Sequence, residues 1–278
     1  MKKNHTLTLL VVILSSSLTG CGQQKNLIIL HTNDTHSRIE PMPANDRYNA
    51  NTGGVERRAV YINEVKKDNK NVLVFDSGDF LQGTPYFNLF RGEVETKVMS
   101  LMGYDAATLG NHEFDYGMDV VEKVAKQATF PIISSNYDFT DTPLNGLIKP
   151  YVIFKKGGLK IGVIGIDVKP QGLIASANYA GMKYLPPLET ANELAAKLKK
   201  TDKCDIVICL SHLGYDGDVA LAPQSKDIDI ILGGHSHTFM KEPETFKNSE
   251  GKNVTVFQNG DRGLNVGRLD LVLERMKR

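Results

Sequence analysis

Short apolar runs alternate with amphipathic segments along most of the chain. Strands are predicted at the apolar runs 27–34, 72–79, 106–112, 131–136, 205–212, 228–234, 254–259 and 267–274. Segments 54–68 and 188–200 instead repeat apolar residues at helical spacing. The alternation of strands with helices predicts an α/β architecture with largely parallel pairing.

One stretch departs from this alternation. In 151–167, two apolar runs flank Lys155-Lys156-Gly157-Gly158, a sequence typical of a hairpin turn. A hairpin beside parallel strands predicts that the sheets are mixed.

Composition narrows the class of protein. The chain has 278 residues, 41% of them hydrophobic, which is enough for one large α/β domain or two small ones. Its 33 basic and 32 acidic residues leave a formal net charge of +1, without a long run of like charge. A nucleic acid polymer is therefore not predicted as a partner.

The first residues have the form of an export signal. A basic "MKK" precedes the apolar "LTLLVVIL", which is too short to span a bilayer, and "SSSLTGC" follows. The ending Leu18-Thr19-Gly20-Cys21 resembles the bacterial lipobox, in which the cysteine is acylated. We predict a lipoprotein signal peptide at 1–20, a short tether at 21–25 and one domain at 26–278. The mature protein would be anchored through Cys21 in the bacterial periplasm or cell envelope; an ordinary cleaved signal is the alternative.

Polar residues able to bind a metal follow five of the predicted strands. They are Asp34 and His36, Asp79, Asn111 and His112, His212, and His235 and His237. Any one of them alone is explained as a turn residue or an ordinary histidine. Parallel strands, however, bring their carboxyl ends to one rim of a sheet, where ligands bind. Five such coincidences predict a shared site.

The donor set indicates the kind of metal. Carboxylate, amide and imidazole donors without a thiolate suit Zn²⁺, Mn²⁺, Fe²⁺ or Co²⁺. These candidate donors exceed the three or four protein ligands of a single catalytic ion. Two ions that share a bridging carboxylate would use them all, and such pairs suit the hydrolysis of phosphate esters.

Five motifs carry a family resemblance. In chain order they are "HTNDTHSRIE", "DSGDFLQG", "LGNHEFDYG", "LSHLG" and "GGHSH". Together they resemble the calcineurin-like metallophosphoesterases and, more narrowly, the N-terminal catalytic domain of the 5′-nucleotidases. The resemblance covers essentially all of 26–278. It implies two mixed β-sheets packed as a sandwich flanked by helices, a four-layer α/β fold.

The resemblance also implies a role for each candidate. One ion would be held by Asp34, His36, Asp79 and His237, and the other by Asp79, Asn111, His212 and His235. A hydroxide between the ions would attack phosphorus. Asn111 and His112 would contact the substrate, and His112, oriented by Asp115, would assist the leaving group.

The function implied is hydrolysis of phosphate monoesters, most of all nucleoside 5′-monophosphates. Hydrolysis of 2′,3′-cyclic nucleotides or of sulfur esters on the same site is the enzymatic alternative, and a non-catalytic lipoprotein binding module is the alternative of another class. The resemblance implies that full-length 5′-nucleotidases carry a C-terminal substrate domain, and we expect it to be absent from this chain. We therefore expect broad selectivity, with a separately encoded domain as a candidate partner.

Overall fold

A computed structural model describes residues 11–13 and 24–274. The predicted signal peptide, apart from Val11–Ile13, lies outside the described residues, as does Cys21. The signal and its lipidation therefore stay predictions.

The chain alternates strands and helices as predicted. The strands are β1 (Val11–Ile13), β2 (Gln24–Thr32), β3 (Val72–Asp76), β4 (Ala106–Thr108), β5 (Ile132–Ile133), β6 (Tyr137–Asp138), β7 (Tyr151–Lys156), β8 (Leu159–Ile166), β9 (Lys183–Tyr184), β10 (Ile206–Ser211), β11 (Ile230–Leu232), β12 (Glu244–Lys247), β13 (Asn253–Phe257) and β14 (Gly267–Glu274). The α-helices are α1 (Val55–Asp68), α2 (Pro85–Phe90), α3 (Glu93–Met102), α4 (Met118–Gln127), α5 (Pro187–Ala196) and α6 (Tyr215–Gln224). Short 3₁₀ segments lie at His112–Phe114 and Ser176–Tyr179, and a π-helical turn at Lys197–Thr201 extends α5.

Two mixed sheets of six strands form the centre of the fold. The first has the order β1-β14-β2-β3-β4-β5, and the second has the order β12-β13-β11-β10-β8-β7. β2 to β5 run parallel, as do β8, β10, β11 and β13. β14 is antiparallel to β2 but parallel to β1. β12 is antiparallel to β13, and β7 is antiparallel to β8, with which it forms the predicted hairpin.

Three apolar layers hold the sheets and helices together. On β2, Leu27 and Ile29 face the second sheet, where they meet residues such as Ile208 of β10. The alternate β2 residue Ile28 packs with α1 on the outer side. A third cluster joins the outer face of the second sheet to α5 and α6. Strands buried on both faces explain the continuous apolar runs, and the layers confirm the predicted four-layer sandwich.

The predicted element boundaries differ from the observed ones at the site. Three predicted strands extend through 34, 79 and 112, but the corresponding strands end at Thr32, Asp76 and Thr108. The candidate donors therefore lie in the loops that follow the strands.

Four helices are absent from the sequence prediction. α2 has six residues, too few to establish a period, and α6 contains Gly217 and Pro223, which interrupt a helical pattern. α3 and α4 repeat apolar residues over only ten residues each. None of the helices in the described part of the chain has the length and apolar character needed to cross a bilayer.

Candidate metal centre

The loops after the parallel strands of both sheets meet at one rim and form two groups of donors. Asp34, His36 and His237 form the first cluster, and Asp79, His212 and His235 form the second cluster. Within each cluster the candidate ligand atoms all lie within 4.8 Å of one another. Six of the seven predicted ligands thus lie in two groups of three, and Asp79, predicted to serve both ions, lies in the second group.

Five of these donors have a backbone conformation that non-glycine residues rarely adopt. The residues at positive φ are Asp34 (48°), His36 (47°), Asp79 (53°), His235 (72°) and His237 (54°). Each such residue costs about 1–3 kcal/mol, and this strain is typical of functional sites. The sharp turns explain why the strands end before the donors.

Two glycines allow these loops to approach one another. A side chain at Gly110 would collide with the carboxylate of Asp79. At Gly234, a Cβ atom would lie 2.8 Å from the backbone oxygen of Ser77 and 2.9 Å from Nδ1 of His212. Gly110 thus lets two loops of the first sheet approach each other, and Gly234 lets a loop of the second sheet approach a loop of the first.

The first cluster has two imidazole nitrogens directed at one point. Nε2 of His36 lies 2.9 Å from Nε2 of His237, and the latter lies 3.4 Å from Oδ1 of Asp34. Ligands of one tetrahedral Zn²⁺, with Zn–N bonds of about 2.0–2.1 Å, are separated by about 3.3 Å. Burial lowers the pKa of His36. The hydrogen bond to Asp34 outweighs burial and raises the pKa of His237.

The second cluster is buried and its central imidazole is held in one tautomer. Nδ1 of His212 donates a hydrogen bond of 2.6 Å to the carbonyl of Ser77. In the neutral ring Nε2 is therefore the bare nitrogen, and it lies 3.1 Å from Oδ2 of Asp79. Burial opposes protonation of His212, but the charge of Asp79 outweighs it and holds the pKa of His212 well above the ordinary value. Burial also opposes ionisation of Asp79, but His212 and its neighbours outweigh it and hold the pKa of that carboxyl below its usual range.

Two buried atoms at the rim fit a bound metal. Oδ1 of Asn111 makes no hydrogen bond with any residue among 24–274, and the neighbour of Nε2 of His212 is the carboxylate of Asp79 at 3.1 Å. Leaving a buried acceptor such as Oδ1 of Asn111 without a partner costs about 1–3 kcal/mol. A cation would satisfy both, and Asn111 is the seventh predicted ligand.

His112 and Asp115 form a pair beside the clusters. Nδ1 of His112 lies 2.9 Å from Oδ2 of Asp115, which leaves Nε2 as the nitrogen free to meet a substrate. The ring of His112 lies 5.4 Å from the ring of His36, and its backbone N–H donates to Oδ1 of Asp79 at 2.8 Å. Burial opposes protonation, but Asp115 and Asp79 outweigh it and raise the pKa of His112.

Glu113 is a buried carboxyl at the site that the sequence reading overlooks. It accepts hydrogen bonds from the backbone N–H groups of Asp79 at 3.0 Å, Leu81 at 3.1 Å, and Gly110. Burial, followed by the charge of Asp79, raises the pKa of Glu113 to about 8. It ties the loops that carry Asp79 and Asn111 together. The sequence signal for Glu113 is its position inside "GNHEFD", between His112 and Asp115.

The fold and the two clusters define a class of protein. Residues 27–239 match the model of the calcineurin-like phosphoesterases. The chain belongs to this family, whose members are metal-dependent phosphoric ester hydrolases. The family fold, together with the two donor clusters, supports the binding of divalent metal ions.

Within the family, several relatives of this chain are nucleotidases. The snake venom 5′-nucleotidase of Gloydius brevicauda is 32% identical over 93% of this chain. The structure of the 5′-nucleotidase precursor of Thermus thermophilus has a TM-score of 0.79 at 32% identity, and it covers 90% of this chain and 54% of its own. The structure of the NAD nucleotidase of Haemophilus influenzae has a TM-score of 0.83 at 30% identity, and it covers 91% of this chain and 55% of its own. The chain spans 47% of the snake venom protein, so about half of that relative's length is matched.

Proposed function

We propose that this protein is a dinuclear-metal phosphomonoesterase whose preferred substrates are nucleoside 5′-monophosphates. The observation that carries the proposal is the pair of donor clusters at a shared rim, with His112 and Asp115 beside them. The 5′-nucleotidase relatives support a nucleotide as the phosphorylated molecule.

Each candidate residue has a proposed part in holding the ions. Asp34, His36 and His237 would bind one ion, and Asn111, His212 and His235 the other, with Asp79 shared between them. Zn, Mn, Fe and Co ions all suit this donor set. Two such ions supply a nucleophile from water near neutral pH and offset the negative charge on the phosphoryl oxygens.

The remaining chemistry belongs to the residues beside the clusters. Asn111 and His112 would contact the phosphoryl group and set its orientation. His112 would hold a proton at Nε2 and give it to the departing oxygen, since Asp115 engages Nδ1 and favours the charged imidazole. A general acid positioned in this way contributes about 10²–10⁴-fold to a rate.

A substrate panel tests which ester the site hydrolyses. Purified protein loaded in turn with Zn²⁺, Mn²⁺, Fe²⁺ or Co²⁺ would be assayed with AMP, UMP, 2′,3′-cyclic AMP, NAD, a sugar phosphate and a thiosulfonate. We expect the highest kcat/KM for a nucleoside 5′-monophosphate. A preference for the cyclic nucleotide or the thiosulfonate would support one of the alternative ester hydrolases.

The same panel tests the non-catalytic alternative. If two ions are bound and none of the esters is hydrolysed, the enzymatic proposal is wrong and a binding module is the better account. The presence of His112 with its Asp115 partner supports catalysis, because a binding module needs neither.

We also propose that a second domain orients the nucleoside part of the substrate, because the chain spans about half the length of its nucleotidase relatives. Binding energy from the non-reacting part of a substrate improves its orientation at the reacting atoms. We expect the isolated chain to discriminate weakly between AMP and a sugar phosphate. Strong discrimination by the isolated chain would contradict the need for a partner domain.

Export with lipid attachment at Cys21 is the last part of the proposal, and "LTGC" supports it. Bacterial cells that express the chain with labelled palmitate should yield labelled protein in the membrane fraction, and Cys21→Ser should abolish the label. A cleaved, unlabelled and released protein would instead indicate an ordinary export signal.

A further inference from the structure

His31 is a buried residue of β2 whose two ring nitrogens both have partners. The side chain is only 1% exposed. Nε2 lies 3.0 Å from the hydroxyl of Ser77, and Nδ1 lies 2.6 Å from the side-chain amide nitrogen of Asn259. Both nitrogens of this buried ring are therefore satisfied, and the two contacts fix the orientation of the ring.

The direction of each hydrogen bond follows from the neighbours. The hydroxyl of Ser77 has one proton, which it donates to the carbonyl of Leu232 at 2.7 Å. It must therefore accept the proton on Nε2 of His31. Nδ1 is then bare and accepts from Asn259. Burial lowers the pKa of His31 to about 3, so the ring stays neutral at neutral pH.

One arm of this hydrogen-bond network begins at Ser77 and leads to the second cluster. The carbonyl of Ser77 accepts the hydrogen bond from Nδ1 of His212 at 2.6 Å, which fixes that imidazole. Leu232, which accepts from the Ser77 hydroxyl, ends β11 three residues before His235. Ser77 thus contacts both segments that supply imidazoles to the second cluster.

The other arm begins at Asn259 and leads to the first cluster. The backbone N–H of Asn259 donates to Oδ1 of Asn33 at 3.0 Å. The side-chain amide of Asn33 then donates to Oδ2 of Asp34 at 2.6 Å and to the carbonyl of Gly260 at 2.7 Å. Asp34 is therefore held from the same buried histidine, through two asparagines.

We propose that His31 is a positioning residue that aligns the two donor clusters, one through Ser77 and the other through Asn259. This inference rests on the proposed two-ion function. Groups that orient metal ligands typically change metal affinity by about 10–100-fold when they are removed. His31 differs from an ordinary partner of this kind because its two nitrogens serve different clusters.

Two substitutions separate the arms. In His31→Asn the short amide replaces Nδ1 and keeps the contact with Asn259, but it does not reach Ser77. In His31→Gln the longer amide replaces Nε2 and keeps the contact with Ser77. We expect His31→Asn to weaken mainly the ion of the second cluster, by about 10–100-fold, and His31→Gln to weaken mainly the ion of the first.

The measurement is calorimetric titration of metal-free protein with Mn²⁺ and with Co²⁺, which requires no substrate. His237→Ala and His235→Ala serve as references, because each removes one ligand and so identifies which binding step belongs to which cluster. Thermal unfolding of the metal-free variants shows whether each is folded. A purely structural role would lower the unfolding temperature without favouring one binding step.

A third variant, Ser77→Ala, tests whether His31 acts through its neighbour. Residues in one network are not additive, so His31→Asn combined with Ser77→Ala should weaken the second ion little more than either change alone.

Equal effects of His31→Asn and His31→Gln on both ions, in folded proteins, would overturn the proposal. Additive effects of His31→Asn and Ser77→Ala would overturn it as well. If the unaltered protein binds fewer than two ions, the proposed function fails first, and that result is recognised before any variant is compared.

Discussion

The two donor clusters differ in how far solvent reaches them. His237 of the first cluster is 43% exposed at its side chain, whereas His212 of the second is fully buried. The first cluster lies entirely in loops, while His212 directly follows the last residue of β10 and is held by the Ser77 carbonyl. A buried, rigid cluster should hold its ion more firmly, and an exposed one should exchange its ion more readily and face the substrate.

The largest expected effect comes from the residue that we propose both clusters share. Asp79→Ala should remove both ions and lower kcat/KM by more than the ~10²–10⁴-fold expected for the general acid alone. Metal analysis of the purified variant and an AMP hydrolysis assay measure the two effects. Retention of one tightly bound ion would mean that Asp79 belongs to one cluster and does not bridge.

The next largest effect is expected from His112→Ala, which should not change how the two clusters bind their ions. We expect kcat to fall by about 10²–10⁴-fold while two ions remain bound. We propose His112 as the acid and not as a ligand, and its backbone contact with Asp79 is kept in the variant. Steady-state kinetics and metal content measured on the same preparation check this. Release of an ion from the variant would contradict our separation of acid and ligand roles.

The two histidines of "GGHSH" test the comparison directly. Each has a left-handed backbone, and together they supply one imidazole to each cluster. His237→Ala should lower the affinity of the first cluster for its ion, and His235→Ala that of the second. Each loss should be about 100-fold or more, because removing a ligand costs more than removing a group that only orients a ligand.

Stepwise calorimetric titration with Mn²⁺ distinguishes the two variants. If both lose the same binding step, the assignment of one imidazole to each cluster is wrong. If the first cluster of the unaltered protein binds more tightly than the second, the argument from burial is wrong.

A smaller effect is expected from Asp115, and it appears in the pH dependence. Asp115 and Asp79 together raise the pKa of His112 against burial. The imidazole must hold a proton to serve as an acid, so kcat should fall as the pH rises through that pKa. Asp115→Asn removes a raising influence, so the fall should begin at a lower pH, and the plateau should change by less than the ~10²-fold of His112→Ala.

Profiles of kcat against pH for the unaltered protein and for Asp115→Asn provide the measurement. Asp119→Asn, on the neighbouring helix α4, is a matched control that removes an acidic group from the same part of the chain. An unchanged alkaline limb in Asp115→Asn would show that Asp115 does not act on His112.

The location of the site could be predicted from sequence because parallel strands share a rim. Asp34, Asp79 and His212 follow apolar runs, and the carboxyl ends of the neighbouring parallel strands β2 and β3 bring Asp34 and Asp79 to one rim. The pattern does not reveal that β3 and β10 belong to different sheets, since a strand buried on both faces has the same apolar sequence in either. The resemblance to the phosphoesterases supplied that part of the fold.

The supporting groups were harder to predict for a physical reason. Glu113 accepts hydrogen bonds from backbone groups that are distant in the sequence, such as the N–H of Asp79. Asn33 reaches the neighbouring Asp34 only because of the path that the loop takes. No local period or spacing encodes such contacts. The left-handed turns at Asp34 and Asp79 are likewise set by the packing of the loops, which is why the predicted strands were too long.

The smallest expected effect concerns an acidic residue at the open side of the first cluster. Oδ2 of Asp261 lies 3.7 Å from Nδ1 of His237, and Arg262 also engages it at 2.8 Å. A half-exposed pair of this kind is worth about 0–1 kcal/mol, so Asp261→Ala should weaken the first ion by at most about fivefold and leave the second unchanged. Asp141→Ala, which removes the exposed partner of Lys183, is the matched control. If Asp261→Ala instead lowers the Mn²⁺ affinity of the first cluster by 100-fold, the first cluster depends on the Asp261 carboxylate as strongly as the second depends on the buried carbonyl of Ser77. The two clusters would then differ only in their exposure to solvent.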